Sequence, residues 1–180
     1  LHLLFRGVPG LFACINPNCS NKQGDVKSTT KLGSLETVPK LSCECGGRVF
    51  ELLTHRDCGK AFLRGFVDGF DGNFLWSEQT GSLFQSTPRP SVPIELLVDG
   101  EPHPQFVDYR RLWVDIKSGR LAYEKPIDDA NYLACYTANA QTDQGVLFGQ
   151  CPCCLKRWND DRTKIMDLGT KGEAPFANLI

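Results

Sequence analysis

Cys43-Glu44-Cys45-Gly46-Gly47-Arg48-Val49-Phe50-Glu51-Leu52-Leu53-Thr54-His55-Arg56-Asp57-Cys58-Gly59 places a potential metal half-site on either side of a short apolar run. Glycine directly after Cys45, and again after Cys58, permits the φ > 0 backbone that turns amide groups toward thiolate sulfur. The run between them, Arg48 to Thr54, reads as a short strand. Strands next to cysteine pairs are the layout of a zinc ribbon, where metal holds elements that cannot bury enough surface alone.

Upstream, Ala13-Cys14-Ile15-Asn16-Pro17-Asn18-Cys19 contributes a second pair of cysteines. Pro17 and its flanking asparagines favour a tight turn that aims both thiolates inward. Cys14, Cys19, Cys43 and Cys45 together make a closed four-thiolate zinc site, although C-x4-C and C-x-C both depart from the commoner C-x2-C. Downstream, Gln150-Cys151-Pro152-Cys153-Cys154-Leu155 carries the partner of His55 and Cys58. Cys151 and Cys154 spell C-P-x-C, so the second site is His55, Cys58, Cys151 and Cys154, with 92 residues inserted between its halves. Such an insertion is tolerable, since each doubling of loop length adds only about 0.6 kcal/mol of closure entropy. Cys153 can replace either neighbour, and Leu155 stands where glycine is more usual. Cys135, in Tyr132-Leu133-Ala134-Cys135-Tyr136, has no ligand neighbour and reads as a small buried hydrophobe.

Two other uses of the cysteines compete with zinc. The odd count of nine and the short spacings disfavour a disulfide framework. A thioredoxin-like redox centre at Cys151 and Cys154 needs a βαβ context that the sequence lacks.

The 180 residues are 41% apolar with a formal charge of -1, which places the chain among soluble globular proteins and excludes disordered and collagen-like classes. No stretch approaches the roughly 18 uncharged apolar residues of a membrane span. The opening Leu1 to Ile15 is apolar, but Arg6 interrupts it and no basic region precedes it, so the expectation is a reducing, cytoplasmic setting. The start at Leu1, the single Met166, and the helix that begins within Ala174 to Ile180 suggest a piece of a larger protein. Residues 1–66 carry a balance of +4, residues 67–149 one of -6, and residues 150–180 one of +1. A nucleic-acid strand would favour the ends over the middle. Two loaded zinc sites would carry -2 and -1, taking the formal total to about -4.

The expected fold is mainly β with few helices, with zinc-ribbon-like ends around an inserted β-rich subdomain. Residues 1–66 form the ribbon segment with site one and half of site two, 67–149 the acidic β-rich insert, and 150–180 the other half-site and a helix start. Leu1 to Phe5 and Leu32 to Val38 are further short strands. Leu112 to Ile116 and Arg120 to Tyr123 read as a hairpin around Lys117, Ser118 and Gly119. Phe74 to Trp76 with Ser82 to Phe84 suggests another, and Thr87 to Pro93 a stiff connector. Helices are expected over Asp128 to Thr137 and after Gly172.

Catalytic signatures are missing. There is no G-x-x-x-x-G-K-[ST] phosphate loop and no H-E-x-x-H. Catalytic zinc keeps an open coordination position, whereas both tetrads are filled by protein ligands. No enzyme is expected within these residues.

Residues 1–16, Cys43 to Leu53, and Cys58-Gly59-Lys60-Ala61-Phe62-Leu63-Arg64-Gly65 resemble the cysteine-rich region of large bacterial DEAD/DEAH-box helicases of superfamily two. Gly169 to Ile180 is similar to the segment where such proteins re-enter their helicase or C-terminal region. In that family the position of His55 is usually cysteine. The resemblance implies an ATP-driven DNA helicase or translocase, some members serving DNA repair and others anti-phage defence. It places ATP and magnesium only in motor domains outside this chain. The present residues would be a two-zinc accessory domain that braces those motor domains and contacts DNA as a single strand or fork. Arg6, Arg48, Arg56, Lys60 and Arg64, close in sequence to Phe5, Phe50, Phe62 and Phe66, are the candidate nucleic-acid contacts, since cations beside aromatics can follow a phosphate backbone while bases stack. The bland alternative makes the phenylalanines core and the arginines solvated. A different function is a zinc-stabilised protein-interaction module whose acidic middle docks a partner or another domain of the parent protein.

Overall fold

The computed structural model describes residues 10–22, 31–79, 91–157 and 165–167. Its strands are β1 (Leu11–Cys14), β2 (Leu35–Glu36), β3 (Val49–His55), β4 (Ala61–Val67), β5 (Val92–Leu97), β6 (Tyr109–Asp115), β7 (Leu121–Ala122), β8 (Tyr132–Ala138) and β9 (Ile165–Asp167). They form one sheet in the order β2-β1-β3-β4-β5-β8-β6-β7, with β9 added to β3. Every strand pair is antiparallel.

The sheet has two well-paired halves. β4 and β5 pair from Phe62↔Leu97 to Val67↔Val92, and β6 and β8 from Tyr109↔Ala138 to Asp115↔Tyr132. Between the halves, β5 and β8 share only the Leu97↔Tyr136 pair. Residues 73–76 add a clasp: Trp76 and Phe66 exchange backbone hydrogen bonds on one side, and the Leu75 N–H donates to the Gly119 carbonyl on the other.

The centre of the sheet is buried on both faces. The rows Leu52–Leu63–Leu96 and Leu53–Phe62–Leu97 lie on opposite faces, and all six side chains are buried. That is why β3 reads as a nearly continuous apolar run instead of an alternating one. Phe148 meets Phe62 edge to face at 5.9 Å and carries Phe106 behind it. On the other face Leu75 lies so close over Gly65 that a Cβ there would come within 2.5 Å of it.

β3 lends one edge to two strands. β1 pairs with it from Leu11↔Leu52 to Cys14↔Val49, and β9 from His55↔Ile165 to Leu53↔Asp167. Asp167 and Leu11 therefore face consecutive residues of β3, and β9 runs toward β1 end to end.

The mainly β expectation holds, and the Arg48 to Thr54 strand lies within one residue of β3. The hairpin around Gly119 is also present, with Trp113↔Ala122 and Val114↔Leu121 in register and Gly119 at φ +79°. The Asp115 carboxylate accepts from the Lys117 and Ser118 backbone N–H groups and closes that turn. Leu32 to Val38 shortens to β2. Pro93, read as part of a connector, lies inside β5; it faces Phe66, whose backbone bonds go to Trp76, so no donor is needed there. The helix expected over Asp128 to Thr137 is wrong. Only Asp129–Asn131 turns, as one 3-10 turn capped by the Asp128 carboxylate, and β8 follows. Alanines at 130, 134 and 138 suggest a helix, but pairing along the whole of β6, with Leu133 and Cys135 buried, overrides that local preference. The expected strand at Leu1 to Phe5, the Ser82 to Phe84 half-hairpin and the terminal helix lie outside the described residues. No helix among the described residues is long and apolar enough to cross a membrane.

Candidate metal centres

Two tetrads sit at opposite ends of β3. Cys14, Cys19, Cys43 and Cys45 gather at the Val49 end, and His55, Cys58, Cys151 and Cys154 at the His55 end, each with its ligand atoms within 4.8 Å of one another. The six steps from Val49 to His55, at about 3.4 Å each, separate them by roughly 20 Å.

At the first tetrad, Cys14 ends β1 and Cys19 is brought back by the intervening turn. The Asn16 carboxamide accepts from the Asn18 N–H at 3.0 Å, and the Asn16 carbonyl accepts from the Cys19 N–H at 3.1 Å. Cys43 and Cys45 lie on a tighter turn closed by Gly46 N–H to Cys43 carbonyl at 2.8 Å, with Gly46 at φ +82°. Gly47 is required by space: a Cβ there would come within 2.7 Å of the Cys14 sulfur. The Cys14–Cys45 and Cys19–Cys43 sulfur pairs are each 3.6 Å apart. Four sulfurs about 2.3 Å from one zinc have edges of about 3.8 Å, so the tetrad has the dimensions of a metal site.

The second tetrad is built from two matching knuckles. His55 N–H donates to the Lys60 carbonyl and Gly59 N–H to the His55 carbonyl; Cys151 N–H donates to the Lys156 carbonyl and Leu155 N–H to the Cys151 carbonyl. The same bonds at the same spacing explain why H-x2-C and C-x2-C face one another as equivalents. Lys156 and Asp57, one from each knuckle, pair at 3.5 Å. The fifth residue of each knuckle is left-handed, with Gly59 at φ +67° and Leu155 at φ +61°. Leucine thus holds a conformation that ordinarily selects glycine. His55 is fully buried and turns Nδ1 toward the thiols, 3.1 Å from Cys58 and 3.7 Å from Cys154. Cys58 and Cys151 sulfurs are 3.7 Å apart.

The thiols of each set are tuned unequally. Burial pushes Cys14 up, reinforced by the neighbouring Cys45 thiol and opposed by the Asn16 N–H. At Cys19 burial also acts upward, but N–H groups of Ser34 and Asn21 outweigh it and bring the thiol down to about 6. Cys58 is pushed up to about 11, by burial first and then by Cys151, against the Lys60 N–H. Cys151 is raised by its hydrogen bond with Cys153 and by burial. Two divalent cations would relieve these clusters, because metal stabilises the thiolate and releases its proton.

Cys153 stands beside the second tetrad, and its sulfur reaches the Glu101 carbonyl at 3.7 Å. Cys135 is fully buried, and burial raises its thiol strongly. Sequence reasoning missed Asn16 and Ser34 as sulfur partners. The Asn16 carboxamide donates to Cys45 at 3.4 Å, and the buried Ser34 hydroxyl lies 3.3 Å from Cys43. Asn16 was visible in the Cys14–Cys19 turn; nothing in the sequence singles out Ser34.

Among the described residues, the candidate nucleic-acid contacts do not form one patch. Arg6 lies outside the described residues. Arg48 precedes β3, while Arg56 and Lys60 follow it, so the length of the strand divides them. Lys60 pairs with Asp99 at 3.6 Å and Arg64 with Glu51 at 3.5 Å. Phe50 and Phe62 are fully buried and Phe66 is half-buried, so the first two are core.

Comparison with known proteins adds a relative and a family. The chain is 39% identical over 186 aligned residues to the Druantia protein DruE of Escherichia coli (strain UMEA 4076-1), an alignment that takes in all of this chain but 10% of that protein. No solved structure matches it. The YjiV N-terminal domain model matches residues 35–168, which hold β2 through β9 and all of the second tetrad. Since that match takes in well over half of the 180 residues, the chain belongs to the YjiV N-terminal domain family.

Proposed function

We propose that this chain is a non-catalytic, two-zinc accessory domain of an ATP-dependent DNA helicase or translocase acting in anti-phage defence in the cytoplasm. The observation that carries the reading is the pair of tetrads at the two ends of one central strand. Cys14, Cys19, Cys43 and Cys45 would hold one zinc, and His55 through Nδ1 with Cys58, Cys151 and Cys154 the other. Zinc held this way supplies structure: each set fills all four tetrahedral positions and leaves none for water or substrate. The chain's own residues do the rest, with β3 as a strut and Asn16 and Ser34 orienting thiolate sulfur. A sheet clamped at both ends is a rigid body suited to bracing motor domains, where ATP and magnesium would act, and to guiding a single strand or fork. Kinship with DruE, of which the chain covers a tenth, supports a role as one part of a large machine.

Metal analysis of the purified chain should find two zinc ions, and labelled single-stranded and forked DNA should bind with an affinity that falls steeply as salt rises. A metal-free, folded chain would sink the zinc reading. Failure to bind DNA at low salt, even with the motor domains attached, would favour an interaction module. That second reading draws on Leu35, Val38 and Leu41, which are 45%, 59% and 60% exposed beside the first tetrad.

A further inference from the structure

Phe74 and Trp76 present a partly exposed aromatic surface at the edge of the sheet. They alternate with the buried Leu75, so both rings leave the same face of the clasp, 5.8 Å apart between centroids and tilted by 37°. Phe74 is 40% exposed and Trp76 half-buried. The backbone beneath them is fixed on both sides, by Phe66↔Trp76 toward β4 and by Phe74↔Arg120 toward the turn before β7. Such a mount makes a rigid platform, in contrast to a mobile loop tip.

Two exposed cations stand on the adjoining turn, and a third, half-buried, lies against that turn. Arg120 faces Phe74 across the strand pair and is exposed, as is Lys117 on the same turn. Arg48 arrives from the start of β3, its Nε 3.6 Å from where a Cβ on Gly119 would stand. None of the three forms an ion pair among the described residues, whereas Lys60 and Arg64 do. The Asp115 carboxylate is taken by the turn's own N–H groups, and Glu78, two residues beyond Trp76, marks the acidic limit of the surface.

We propose that Phe74 and Trp76 stack unpaired bases of a nucleic-acid strand while Arg48, Lys117 and Arg120 hold its phosphates. The proposal rests on the accessory-domain reading and names the surface by which that domain touches its strand. The chemistry fits a single strand better than a duplex, because only unpaired bases offer their faces to an aromatic ring. It fits nucleic acid better than an acidic peptide, because two adjacent rings repay stacking that a peptide carboxylate does not need.

The test uses the full chain with Trp113→Phe and Trp158→Phe, leaving Trp76 as the only tryptophan. A thymidine 12-mer at low salt should quench its emission saturably, and a duplex of equal length should bind several-fold more weakly. Phe74→Ala should weaken strand binding about five- to 150-fold, the range for losing one base stack. The exposed turn variant Lys117→Glu, which leaves the rings in place, should weaken it as well and flatten the salt dependence. Zinc content and melting temperature serve as folding controls. If the strand binds by anisotropy without altering Trp76 emission, and both variants bind as the parent does, the platform is wrong and the accessory reading stands. Equal affinity for duplex also overturns the platform. No strand binding by the parent chain, with its metal intact, overturns the platform, and no binding with the motor domains attached overturns the accessory reading as well.

Discussion

The two tetrads resemble each other in size and differ in what they tie together. The first draws on residues 14 to 45 and closes a ribbon with only 23 residues between Cys19 and Cys43. The second joins knuckles separated by 92 residues, and everything from β4 to β8 lies inside that loop. A link across a long loop removes more freedom from the unfolded chain than one across a short loop, by a logarithmic margin. Loaded with metal, the first site would therefore secure an edge, and the second would secure the sheet.

The largest effect should come from breaking the second site. Treated as a cross-link, a closure of this length is worth about 4.7 kcal/mol and the shorter one about 3.4 kcal/mol. Cys58→Ser should halve the zinc content and lower denaturant stability by several kcal/mol, with amide protection lost across β4 to β8. Equal losses from both sites would mean that loop length does not divide them.

Gly47→Ala should act on the first site alone without removing a ligand. Its Cβ, 2.7 Å from the Cys14 sulfur, forces the turn open. One zinc per chain should remain, with exchange accelerated in β1 and β2 and unchanged in β6 and β8. Retention of two zinc ions would show that the turn can give way.

A smaller contrast lies within the second site. Gly59 and Leu155 share the left-handed position of matching knuckles. Gly59→Ala meets no atom within 4 Å, so it should cost only the backbone penalty of about 1 kcal/mol. Leu155→Gly should recover a similar amount less what the half-buried leucine contributes by packing. The shortfall between the two, read from denaturant midpoints, measures that packing directly.

A further contrast concerns protons in the metal-free, reduced chain. Cys19, brought down to about 6 from an ordinary value near 9, adds stability that is complete above 9 and is lost as pH falls through 6. Cys58, pushed up to about 11, adds stability that is complete below 9 and is lost as pH rises through 11. The denaturation midpoint should therefore peak near pH 9 and lose its acid limb in Cys19→Ser. An acid limb unchanged by that substitution would assign it to another group.

How much of this was legible varies with the kind of signal. The tetrads could be read because chemistry and spacing repeat: glycine follows Cys45 and Cys58, and the C-P-x-C spelling matches H-x2-C at the opposite knuckle. The hairpin at Gly119 was equally local. What escaped reading was decided by distant partners. Tyr132 to Ala138 looks helical until β6 lies beside it, and Pro93 looks like a linker until Phe66 turns its own N–H away. Leu155 looked like a flaw in the second site, yet it takes the backbone conformation of the glycine it replaces. Phe50 and Phe62 could be read either as core or as strand contacts; both are buried, and the length of β3 divides Arg48 from Arg56 and Lys60.

The shared edge of β3 has a consequence for how such a unit is carried. Since β9 runs toward β1 along one line, Asp167 and Leu11 lie at neighbouring points, although more than a hundred residues intervene. Linked through these two residues alone, the unit would need only a single surface loop of a host protein. The same geometry predicts that a short link from Asp167 to Leu11, with the chain reopened elsewhere, would leave the sheet and both tetrads undisturbed.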